Sequence, residues 1–413
     1  MRILVVSQYF WPENFRVNDL CAELVKRGHE VTVLTGKPNY PSGEVFKDYV
    51  NTPADFNQYM GSNIVRVPML ARGKSSAFKL ILNYLTFALS ATVIGTWKLK
   101  RKSFDVIFVF EPSPVMVGLP AICLKSFKKA PVIFWVLDLW PETLEAVGVI
   151  KSKRTLNVVG MLVSFIYNRC DLVLGQSKAF YSGISRYCKD ESKIKYFPSW
   201  SEDIFVSKPV SSVKELQEYT GFKVLFAGNV GEAQDFPAIL SAIDILKKSK
   251  LNVKLFIVGD GRALDEVKQK IENLNIVEHV VLFGRKELSL MPSFYLSADA
   301  LLVTLKDNPV FSMTIPGKLQ AYLAAGKPIL TMLSGEGSRI VTDAGCGYVA
   351  KSGDALALAN NIKRMSSLSC DELAVLGQKA KKYSDIEFNR DKLITQLENW
   401  FFEVSSKSKE RNE

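Results

Sequence analysis

The chain has 413 residues, a formal net charge of +11, 47% hydrophobic residues and 23% charged residues. This composition excludes a disordered or collagen-like chain, and the length indicates two or three domains. Only two histidines, His29 and His279, are present, so a histidine-rich metal site or a Ser-His-Asp hydrolase is hard to build. We interpret both histidines as structural.

The six cysteines lie far apart and form no C-x-x-C pair. That spacing favours a reducing compartment over a disulfide scaffold or a structural zinc site. The first apolar run is too short for a secretory signal, and it predicts a strand instead. The positive charge suits nucleic acid, an anionic membrane or a phosphorylated substrate. Because no RRM, KH or helix-turn-helix signature is present, we expect no nucleic-acid partner.

Short apolar runs alternate with helix-period stretches along the whole chain, which indicates parallel strands buried on both faces. Strands are predicted at Arg2–Ser7, Glu30–Thr35, Asn63–Val67, Asp105–Phe110, Val132–Leu137, Asp171–Gln176, Lys193–Phe197, Phe222–Gly228, Val253–Val258, Val280–Gly284, Ala300–Thr304 and Pro328–Met332. Helical patterns between them include Phe15–Arg27, Pro114–Lys128 and Ser152–Arg169.

A polar, irregular stretch near residues 200–215 interrupts this alternation, as a linker does. The sequence therefore predicts two doubly wound, Rossmann-like α/β domains at 1–200 and 201–390. A C-terminal helix at 391–413 is expected to pack back toward the first domain. Because ligands of such sheets bind at the carboxyl ends of the strands, the active site is expected in a cleft between the two domains.

The stretch Ala77–Trp97 is unusually apolar, and its few polar residues form one narrow stripe. Basic residues flank it on both sides, at Arg72, Lys74, Lys98, Lys100, Arg101 and Lys102. Two interpretations stay open: a buried crossover helix, or a helix lying in a membrane interface and held there by anionic lipid. Lys151–Arg154 followed by Leu156–Tyr167 has the same character and is a candidate for the same surface.

Glycine-rich turns follow two strands of the second half, at Gly228-Asn229-Val230-Gly231 and Gly259-Asp260-Gly261. Glycine at a strand-to-helix turn lets backbone N–H groups approach a phosphate closely. Any tight turn also favours glycine, so both explanations stay open here. There is no P-loop and no G-x-G-x-x-G after the first strand, which disfavours kinases and dinucleotide-dependent dehydrogenases.

The segment from Ser312 to Pro328 predicts a helix with Pro316 in its first turn and Gly326 at its end. Free N–H groups near Thr314–Lys318 would form an anion site, to which Lys318 adds a positive charge. A departing diphosphate needs such a field, because its charge grows as the glycosidic bond breaks.

These motifs together resemble family 4 of the glycosyltransferases, over nearly the whole chain. The resemblance is carried by the opening with SQYFWPEN and KPNYPSG, by VLDLWPE at 136–142, FAGNVG at 226–231, FIVGDG at 256–261, FGR at 283–285 and IPGKLQAYLAAGKP. It is greatest toward the branch of WbuB- and WcaI-like enzymes, which build O-antigen, capsule or colanic-acid repeats on a lipid carrier.

The resemblance implies a GT-B fold and a retaining transfer that needs no metal or other cofactor. It implies a nucleotide-sugar donor, UDP-linked, and an undecaprenyl-diphosphate-linked acceptor; the specific expectation is transfer of N-acetyl-L-fucosamine (FucNAc) to GlcNAc. The implied location is cytoplasmic, peripheral to the inner membrane. The donor-binding residues that it implies are Gly228, Asn229, Gly231, Gly259, Asp260, Gly261, Arg285, Ser312, Met313, Thr314, Gly317, Gln320 and Glu336.

The sequence departs from the family pattern at the donor side. Ser312 and Gln320 stand where most members carry two glutamates, so Glu336 is a candidate to replace the missing carboxylate. The usual Arg and Lys after the first strand of the second domain are replaced by Asn229 and by Gln234 or Asp235. Lys318, with Arg285, would therefore carry more of the diphosphate charge.

In the first half, Asp138 follows a strand at its carboxyl end, and Glu111 follows the preceding strand. Together with Lys318, they are the predicted catalytic residues. Two roles stay open for Asp138: it accepts the proton of the acceptor hydroxyl, or it only orients the acceptor while the departing phosphate takes the proton. Asn14, Arg16 and Asn18, in the loop after the first strand, are predicted to bind acceptor or donor phosphate.

Two other functions remain compatible with the sequence. A nucleotide-sugar 2-epimerase shares the GT-B fold, although it is expected to use histidine and several carboxylates. A non-catalytic sugar-nucleotide-binding subunit of a polysaccharide complex is conceivable because of Ser312 and Gln320. Turnover with a donor, with and without a lipid acceptor, separates these functions from sugar transfer.

Overall fold

The computed structural model describes residues 1–73, 77–146, 148, 150, 152–201, 203–205 and 212–410. Two of the predicted basic residues, Lys74 and Lys151, lie outside these ranges, as does part of the predicted linker. The chain forms two compact units, one made of residues 1–197 and 391–413 and the other of residues 198–390. Each unit is a doubly wound α/β structure.

The first unit is built on an eight-stranded sheet of order β3-β4-β2-β1-β5-β6-β7-β8. Its strands are β1 Arg2–Val6, β2 Glu30–Thr35, β3 Gln58–Tyr59, β4 Ser62–Arg66, β5 Val106–Glu111, β6 Val132–Val136, β7 Leu172–Gly175 and β8 Ile194–Tyr196. Every neighbouring pair is parallel except β3 and β4. Because helices cover both faces of a parallel sheet, β5 and β6 are buried along their whole length.

The α-helices of the first unit are α1 Arg16–Lys26, α2 Lys47–Asn51, α3 Ala77–Ser90, α4 Thr96–Lys98, α5 Gly118–Lys128, α6 Glu142–Ala146, α7 Lys153–Arg169 and α8 Phe180–Ser185. Single 3₁₀ turns lie at Pro53–Phe56, Val115–Val117 and Glu191–Lys193. A π-helical turn at Ala91–Gly95 joins α3 to α4, so residues 77–98 form one continuous helical segment. Helix α5 packs against both this segment and α7.

The second unit contains a six-stranded sheet of order β11-β10-β9-β12-β13-β14, in which every pair is parallel. Its strands are β9 Phe222–Ala227, β10 Val253–Val258, β11 Val280–Gly284, β12 Ala300–Thr304, β13 Ile329–Met332 and β14 Gly347–Ala350. The chain runs outward from β9 to β11 and then returns to β12 on the other side of β9. This reversal creates a switch point between β9 and β12, where ligands of such sheets bind.

The α-helices that follow are α9 Lys214–Gln217, α10 Phe236–Lys248, α11 Leu264–Asn273, α12 Met291–Ser297, α13 Pro309–Met313, α14 Gly317–Ala325, α15 Glu336–Ala344, α16 Ala355–Ser366, α17 Cys370–Glu387 and α18 Arg390–Glu410. Single 3₁₀ turns lie at Asp203–Phe205, Glu232–Gln234, Val277–His279 and Leu288–Leu290. Helix α14 ends at Gly326, whose φ of 68° is the left-handed conformation that glycine adopts most easily.

Helix α18 belongs to the first unit. Its Glu398 accepts hydrogen bonds from Arg27 at 2.7 Å and contacts the ring of His29 at 2.7 Å. Phe401 packs edge-on against Phe108 of β5, with 5.7 Å between ring centroids. The ring of His29 is therefore engaged in tying α18 to the first unit.

The sequence predicted the alternation of strands and helices but missed β14 and the short strand β3. Strand β14 has only four residues and is half-exposed at the sheet edge, so it lacks the apolar run that marks a central strand. The helix predicted from Pro114 begins as a 3₁₀ turn and becomes α-helical at Gly118.

Candidate functional site

Two glycine turns interlock at the carboxyl edge of the second sheet. A Cβ added to Gly259 would lie 1.8 Å from the carbonyl oxygen of Gly228, and one added to Gly261 would lie 2.2 Å from that of Val230. Gly228 and Gly259 have φ angles of 144° and 149°, which side chains disfavour. Mutual packing of the turns thus requires Gly259 and Gly261, whatever these turns also bind.

Lys318 lies under the first of these turns. Its Nζ is buried, has no hydrogen-bond partner among the described residues, and lies 3.8 Å from the centroid of the Phe226 ring. A Cβ added to Gly228 would lie 3.2 Å from the same nitrogen. Burial lowers the pKa of Lys318 to about 7, because a charged amine without a counterion is poorly stabilised away from water.

The full positive charge expected from the sequence is therefore only partly present at neutral pH. The amine lies beside Phe226 of β9, next to the switch point of the sheet. A buried amine without a partner is an incomplete site. A diphosphate placed next to it would supply the missing counter-charge and hydrogen-bond acceptors.

The start of helix α14 has the predicted form. Pro316 is the N-cap, and Gly317 is the first helical residue and is exposed. The helix has nine residues, and Lys318 in its first turn reaches the glycine turn at Gly228. Just before it, the Thr314 hydroxyl donates to the Val310 carbonyl at 3.0 Å. Ser312 and Met313 end the short helix α13 and are half-exposed.

The two substituted glutamate positions differ in their surroundings. Gln320 is buried, and its Nε2 donates to the carbonyl of Ser199 at 2.7 Å. A contact of Gln320 with the donor would have to come from its Oε1. Ser312 adjoins the segment that holds Glu336: a Cβ on Gly335 would lie 1.9 Å from the Ser312 carbonyl oxygen. Glu336 is itself paired with Arg339 at 2.8 Å, so its charge is already balanced.

The remaining predicted donor residues surround the same edge. The carboxylate of Asp260 accepts the N–H of Gly261 at 2.7 Å, and Arg285 is exposed immediately after β11. Gly231 donates its N–H to the side chain of Gln234 at 3.2 Å, and a Cβ on Gly231 would meet the amide of Asn229 at 2.4 Å. Asn229 and Gln234 therefore shape the turn in which an Arg and a Lys are usual.

In the first unit, Asp138 lies just beyond the end of β6. Its Oδ2 accepts the indole N–H of Trp140 at 3.2 Å, and its Oδ1 accepts the hydroxyl of Thr143. Burial raises the pKa of Asp138, and these donors oppose that rise because they favour the charged form. The carboxylate is consequently held in one orientation.

Glu111 is the last residue of β5 and is fully buried behind Asp138. The backbone N–H of Asp138 donates to its Oε2 at 3.4 Å. Burial, together with the nearby charge of Asp138, raises the pKa of Glu111 well above its usual value. The raised pKa favours the protonated form of Glu111, which suits a supporting carboxylic acid better than a base.

The loop after β1 is organised by Glu13, which the sequence analysis did not identify. Its carboxylate accepts the N–H groups of Asn39 and Tyr40 at 2.7 Å and of Phe10 at 3.1 Å. Burial raises the pKa of Glu13 to about 7, and the three donors act against that rise. The carboxylate thus ties the loop after β1 to the loop after β2.

Of the three loop residues predicted to bind phosphate, Asn18 is buried. Its amide nitrogen donates to the Glu13 carbonyl at 2.7 Å, and its oxygen accepts the Trp11 N–H at 3.2 Å. These bonds shape the loop, and the phosphate contact predicted for Asn18 stays a prediction. Asn14 is exposed and Arg16 begins α1, half-exposed.

The helical segment 77–98 has its polar side inward and its apolar side outward. Asn83 is fully buried; its side-chain oxygen accepts a hydrogen bond from the Gln8 amide at 2.7 Å, and its nitrogen donates to the Leu70 carbonyl at 2.6 Å. The Thr86 hydroxyl accepts the N–H of Leu70 at 3.1 Å. The exposed side consists of Phe78, Ile81, Leu85, Leu89, Val93 and Trp97. We call these six residues the outer apolar stripe. Because this side is exposed, the interpretation of the segment as a buried crossover helix is wrong for the side that carries the outer apolar stripe.

Exposed apolar residues continue on the neighbouring helices, with Phe127 on α5 and Val158, Met161 and Phe165 on α7. Basic groups lie among them: Lys100 contacts the Trp97 ring and Arg169 lies 3.7 Å from the Phe165 centroid. By length and composition, Phe78–Lys98 is the one described helix that could cross a membrane, although 28% of it is buried. Within the described ranges, no three His, Cys, Asp or Glu side chains are grouped to hold a metal ion.

Comparison with known proteins agrees with this architecture. Residues 14–200 match the Glycosyl transferase 4-like domain, and residues 208–383 match Glycosyl transferases group 1. WbjE of Pseudomonas aeruginosa, described as a probable glycosyltransferase, is 29% identical over 65% of this chain and 70% of its own length. WcaI of Escherichia coli, described as a colanic acid biosynthesis glycosyl transferase, is 23% identical over 79% of this chain and 82% of its own.

Among solved structures, Anabaena HepE in complex with UDP and glucose superposes with a TM-score of 0.68 at 14% sequence identity. The match covers 97% of this chain and 98% of that one. The predicted GT-B fold is thereby confirmed.

Proposed function

Because this chain is a glycosyltransferase that joins a 4-like domain to a group 1 domain, we propose that it is a retaining, metal-independent enzyme of polysaccharide synthesis. It transfers an N-acetyl amino sugar such as FucNAc from a UDP-linked donor to an undecaprenyl-diphosphate-linked sugar, GlcNAc. The product is an intermediate of O-antigen or capsular polysaccharide.

The observation that carries this proposal is the buried, unpaired amine of Lys318 at the switch point of the second sheet. A diphosphate at this place gains a counter-charge from Lys318 and hydrogen bonds from the N–H groups at the start of α14. Because the leaving diphosphate gains negative charge as the sugar departs, donors fixed in advance stabilise the transition state more than the ground state. Lys318 is therefore assigned the main catalytic charge.

The acceptor side of the proposal rests on Asp138. The hydrogen bonds to the Asp138 carboxylate favour its charged form, so the carboxylate is available to hold an acceptor hydroxyl. Since Thr143 and Trp140 already donate to its two oxygens, we assign it orientation of the acceptor, with the departing phosphate taking the proton. Glu111 supports it from behind. Arg16 and Asn14, in the loop after β1, are assigned to acceptor phosphate.

The membrane side of the proposal rests on the inward polar side of segment 77–98. In water an amphipathic helix buries its apolar face, whereas here the outer apolar stripe is exposed beside basic residues. A bilayer with anionic headgroups covers such a surface and balances its charge. We therefore place the enzyme on the cytoplasmic face of the inner membrane, where a polyprenyl-linked acceptor is found.

The relatives support this assignment by what they are described as doing. WcaI is described as acting in colanic acid biosynthesis, and HepE was solved with UDP and glucose. A UDP-sugar donor and a polysaccharide product therefore fit both the residues of this chain and its relatives.

The deciding experiment incubates the purified full-length chain with polyprenyl-diphosphate-GlcNAc and a panel of UDP- and GDP-sugars. Mass spectrometry of the lipid product should show one added sugar with one donor, in the presence of EDTA, and NMR should show that the anomeric configuration is retained. The Lys318→Met variant is the matched control. Formation of an epimer without acceptor would indicate the 2-epimerase, and donor binding without any turnover would indicate the binding subunit.

A further inference from the structure

Arg72 follows β4 in the chain and precedes segment 77–98, and its guanidinium lies over an aromatic ring. Its Cζ is 5.1 Å from the centroid of the Tyr40 ring. Arg2 and Arg27 of the same unit are paired with carboxylates at 2.9 and 2.7 Å. The Arg72 guanidinium has no carboxylate or hydrogen-bond partner in the part of the chain that the structure describes, so its charge is available to a ligand.

Buried polar groups fix the backbone of both members of this pair. The N–H of Arg72 donates to the side-chain oxygen of Asn39 at 3.1 Å. The N–H groups of Asn39 and Tyr40 both donate to the Glu13 carboxylate at 2.7 Å. Because Asn39 and Glu13 are buried, these bonds hold the stacked pair in one arrangement before a ligand binds.

The ring of Tyr40 belongs to an aromatic cluster. Its centroid lies 5.6 Å from that of Tyr9 and 5.2 Å from that of Phe15, and Phe15 meets Phe110 of β5 at 6.5 Å. A guanidinium stacked on such a ring keeps the edge of its planar fork free, and that edge matches two oxygens of a phosphate. The pair of Arg72 and Tyr40 thus has the form of a phosphate-binding site.

The stacked pair lies at the sheet edge that also carries Asp138. Strands β2, β1, β5 and β6 are consecutive in the sheet, Tyr40 follows β2, and Asp138 follows β6. The ends of β2 and β6 are three strand spacings apart, about 14 Å. A sugar ring alone is shorter than this distance, whereas a sugar diphosphate reaches across it.

The part of the chain that carries Arg72 also runs along the helix of the outer apolar stripe. The carbonyl of Leu70 accepts the Asn83 amide at 2.6 Å. A Cβ on Gly73 would lie 2.8 Å from the side chain of Lys79, near the start of the same helix. Arg72 therefore lies beside the surface that is proposed to meet the membrane, where the diphosphate of a polyprenyl-linked sugar is found.

We propose that Arg72, stacked on Tyr40, binds the diphosphate of the lipid-linked acceptor. The sugar then extends from this diphosphate toward Asp138, and the lipid extends toward the outer apolar stripe. The inference rests on the proposed function, because its ligand is the acceptor named there. It adds Arg72 and Tyr40 to Arg16 as residues that recognise the acceptor by its phosphates.

The test measures binding of two probes by calorimetry with saturating UDP present, so that the donor site is occupied. Geranyl diphosphate carries the diphosphate without a sugar, and octyl-GlcNAc carries the sugar without a phosphate. Arg72→Gln should raise the Kd for geranyl diphosphate about tenfold or more, because a hydrogen-bonded charge pair is lost, and should leave the Kd for octyl-GlcNAc unchanged. Equal Kd values for geranyl diphosphate in wild type and Arg72→Gln would overturn the inference.

Three further variants separate recognition from loss of charge or structure. Lys26→Gln is the matched control, because it removes a positive charge from a side chain that is 80% exposed on α1, and its Kd values should equal those of the wild type. Arg72→Lys keeps the charge without the planar fork and should recover only part of the affinity. Tyr40→Leu removes the ring beneath the guanidinium and should also weaken geranyl diphosphate binding. Wild-type affinity in Arg72→Lys and Tyr40→Leu would contradict a stacked, bidentate site.

Kinetics relate this site to the transfer reaction. With prenyl-diphosphate-GlcNAc as acceptor, Arg72→Gln should raise the acceptor KM about tenfold or more and leave the donor KM unchanged. An unchanged acceptor KM would overturn the inference. Binding of geranyl diphosphate that depends on Arg72, without any sugar transfer by the wild type, would retain the diphosphate site and overturn only the proposed function.

The phosphate of an anionic lipid headgroup offers the same chemistry to Arg72. Sedimentation with phosphatidylglycerol vesicles distinguishes this source, because Arg72→Gln should bind such vesicles as tightly as the wild type does. Loss of vesicle binding together with an unchanged Kd for geranyl diphosphate would assign Arg72 to headgroups and overturn the inference.

Discussion

The Nζ of Lys318 lies 3.8 Å from the centroid of the Phe226 ring and is buried without a hydrogen-bond partner in the described chain. An aromatic face stabilises a nearby cation by only about 0.5–2 kcal/mol. Burial outweighs this contribution and lowers the pKa of the amine to about 7. The amine of Lys318 is therefore able to gain both a proton and an anionic partner.

Replacement of Lys318 by methionine should affect activity and stability in opposite directions. Turnover should fall by the equivalent of about 2.7–4 kcal/mol, the usual loss on removing a transition-state donor. The free energy of unfolding should rise by about 1–3 kcal/mol, because a buried unpaired polar group is removed. Steady-state kinetics and urea denaturation measure the two effects, and wild-type turnover in the variant would remove Lys318 from the mechanism.

Donor binding should take up a proton. The pKa of Lys318 is about 7 without donor, and a diphosphate raises it, so part of the amine must be protonated when UDP binds above pH 7. UDP affinity should consequently decrease as pH rises from about 7 to 9. Calorimetry in buffers of different ionisation enthalpy should show this proton uptake in the wild type and its loss in Lys318→Met.

The lowered pKa of Lys318 also determines whether the free energy of unfolding rises or falls with pH. Between pH 7 and about 10.5 the unfolded chain binds a proton at Lys318 that the folded chain does not. The unfolding free energy of the donor-free wild type should therefore rise with pH over this window, relative to Lys318→Met. Parallel denaturation curves at pH 7 and pH 9 for both proteins provide the check, and a constant difference would contradict the pKa.

The two carboxylates of the first unit should respond differently to neutral isosteres. Asp138→Asn removes a charge and should lower acceptor transfer at least tenfold, with UDP affinity unchanged. Burial raises the pKa of Glu111 and so favours its protonated form, which glutamine resembles; Glu111→Gln should therefore keep activity near neutral pH. Acceptor kinetics at pH 7 distinguish them; an equal loss in both would assign Glu111 a direct role.

Membrane binding should depend on the outer apolar stripe. Leu89 is 66% exposed, and Leu89→Glu should weaken binding to vesicles containing anionic phosphatidylglycerol about tenfold or more, since burial of a leucine contributes roughly 1.5–3 kcal/mol. The thermal stability should be unchanged. Leu356→Glu, a change at an exposed leucine of the second unit (60% exposed), is the control. Vesicle sedimentation measures both, and equal binding by the two variants would contradict the membrane surface.

The fold was predictable because each central strand is a continuous apolar run, whereas the helices repeat their apolar residues with helical spacing. The helix from Gly317 to Gly326 could even be placed within a residue, since proline and glycine have conformational preferences that act locally. Strand β14 could not be found in this way, because half-exposed edge residues carry no continuous apolar pattern.

The candidate site was less predictable, because it depends on which partner each polar side chain meets. Asp138 and Lys318 stood out at strand and helix ends, where parallel sheets bind ligands. Glu13 gave no local signal, since its role arises from hydrogen bonds with Asn39 and Tyr40, which are distant in the chain. The hydrogen bonds by which Asn18 supports its own loop could likewise not be read from the sequence.

Segment 77–98 turns its polar side toward the first unit and its apolar side outward. Asn83 and Thr86 hydrogen-bond the backbone of Leu70 and so hold this segment against the loop after β4. The first unit could therefore bind a lipid surface without rearranging. On the membrane surface proposed above, this attachment would fix the height of Asp138 above the headgroups. The enzyme would then select its acceptor by the distance between the reactive sugar and the lipid anchor.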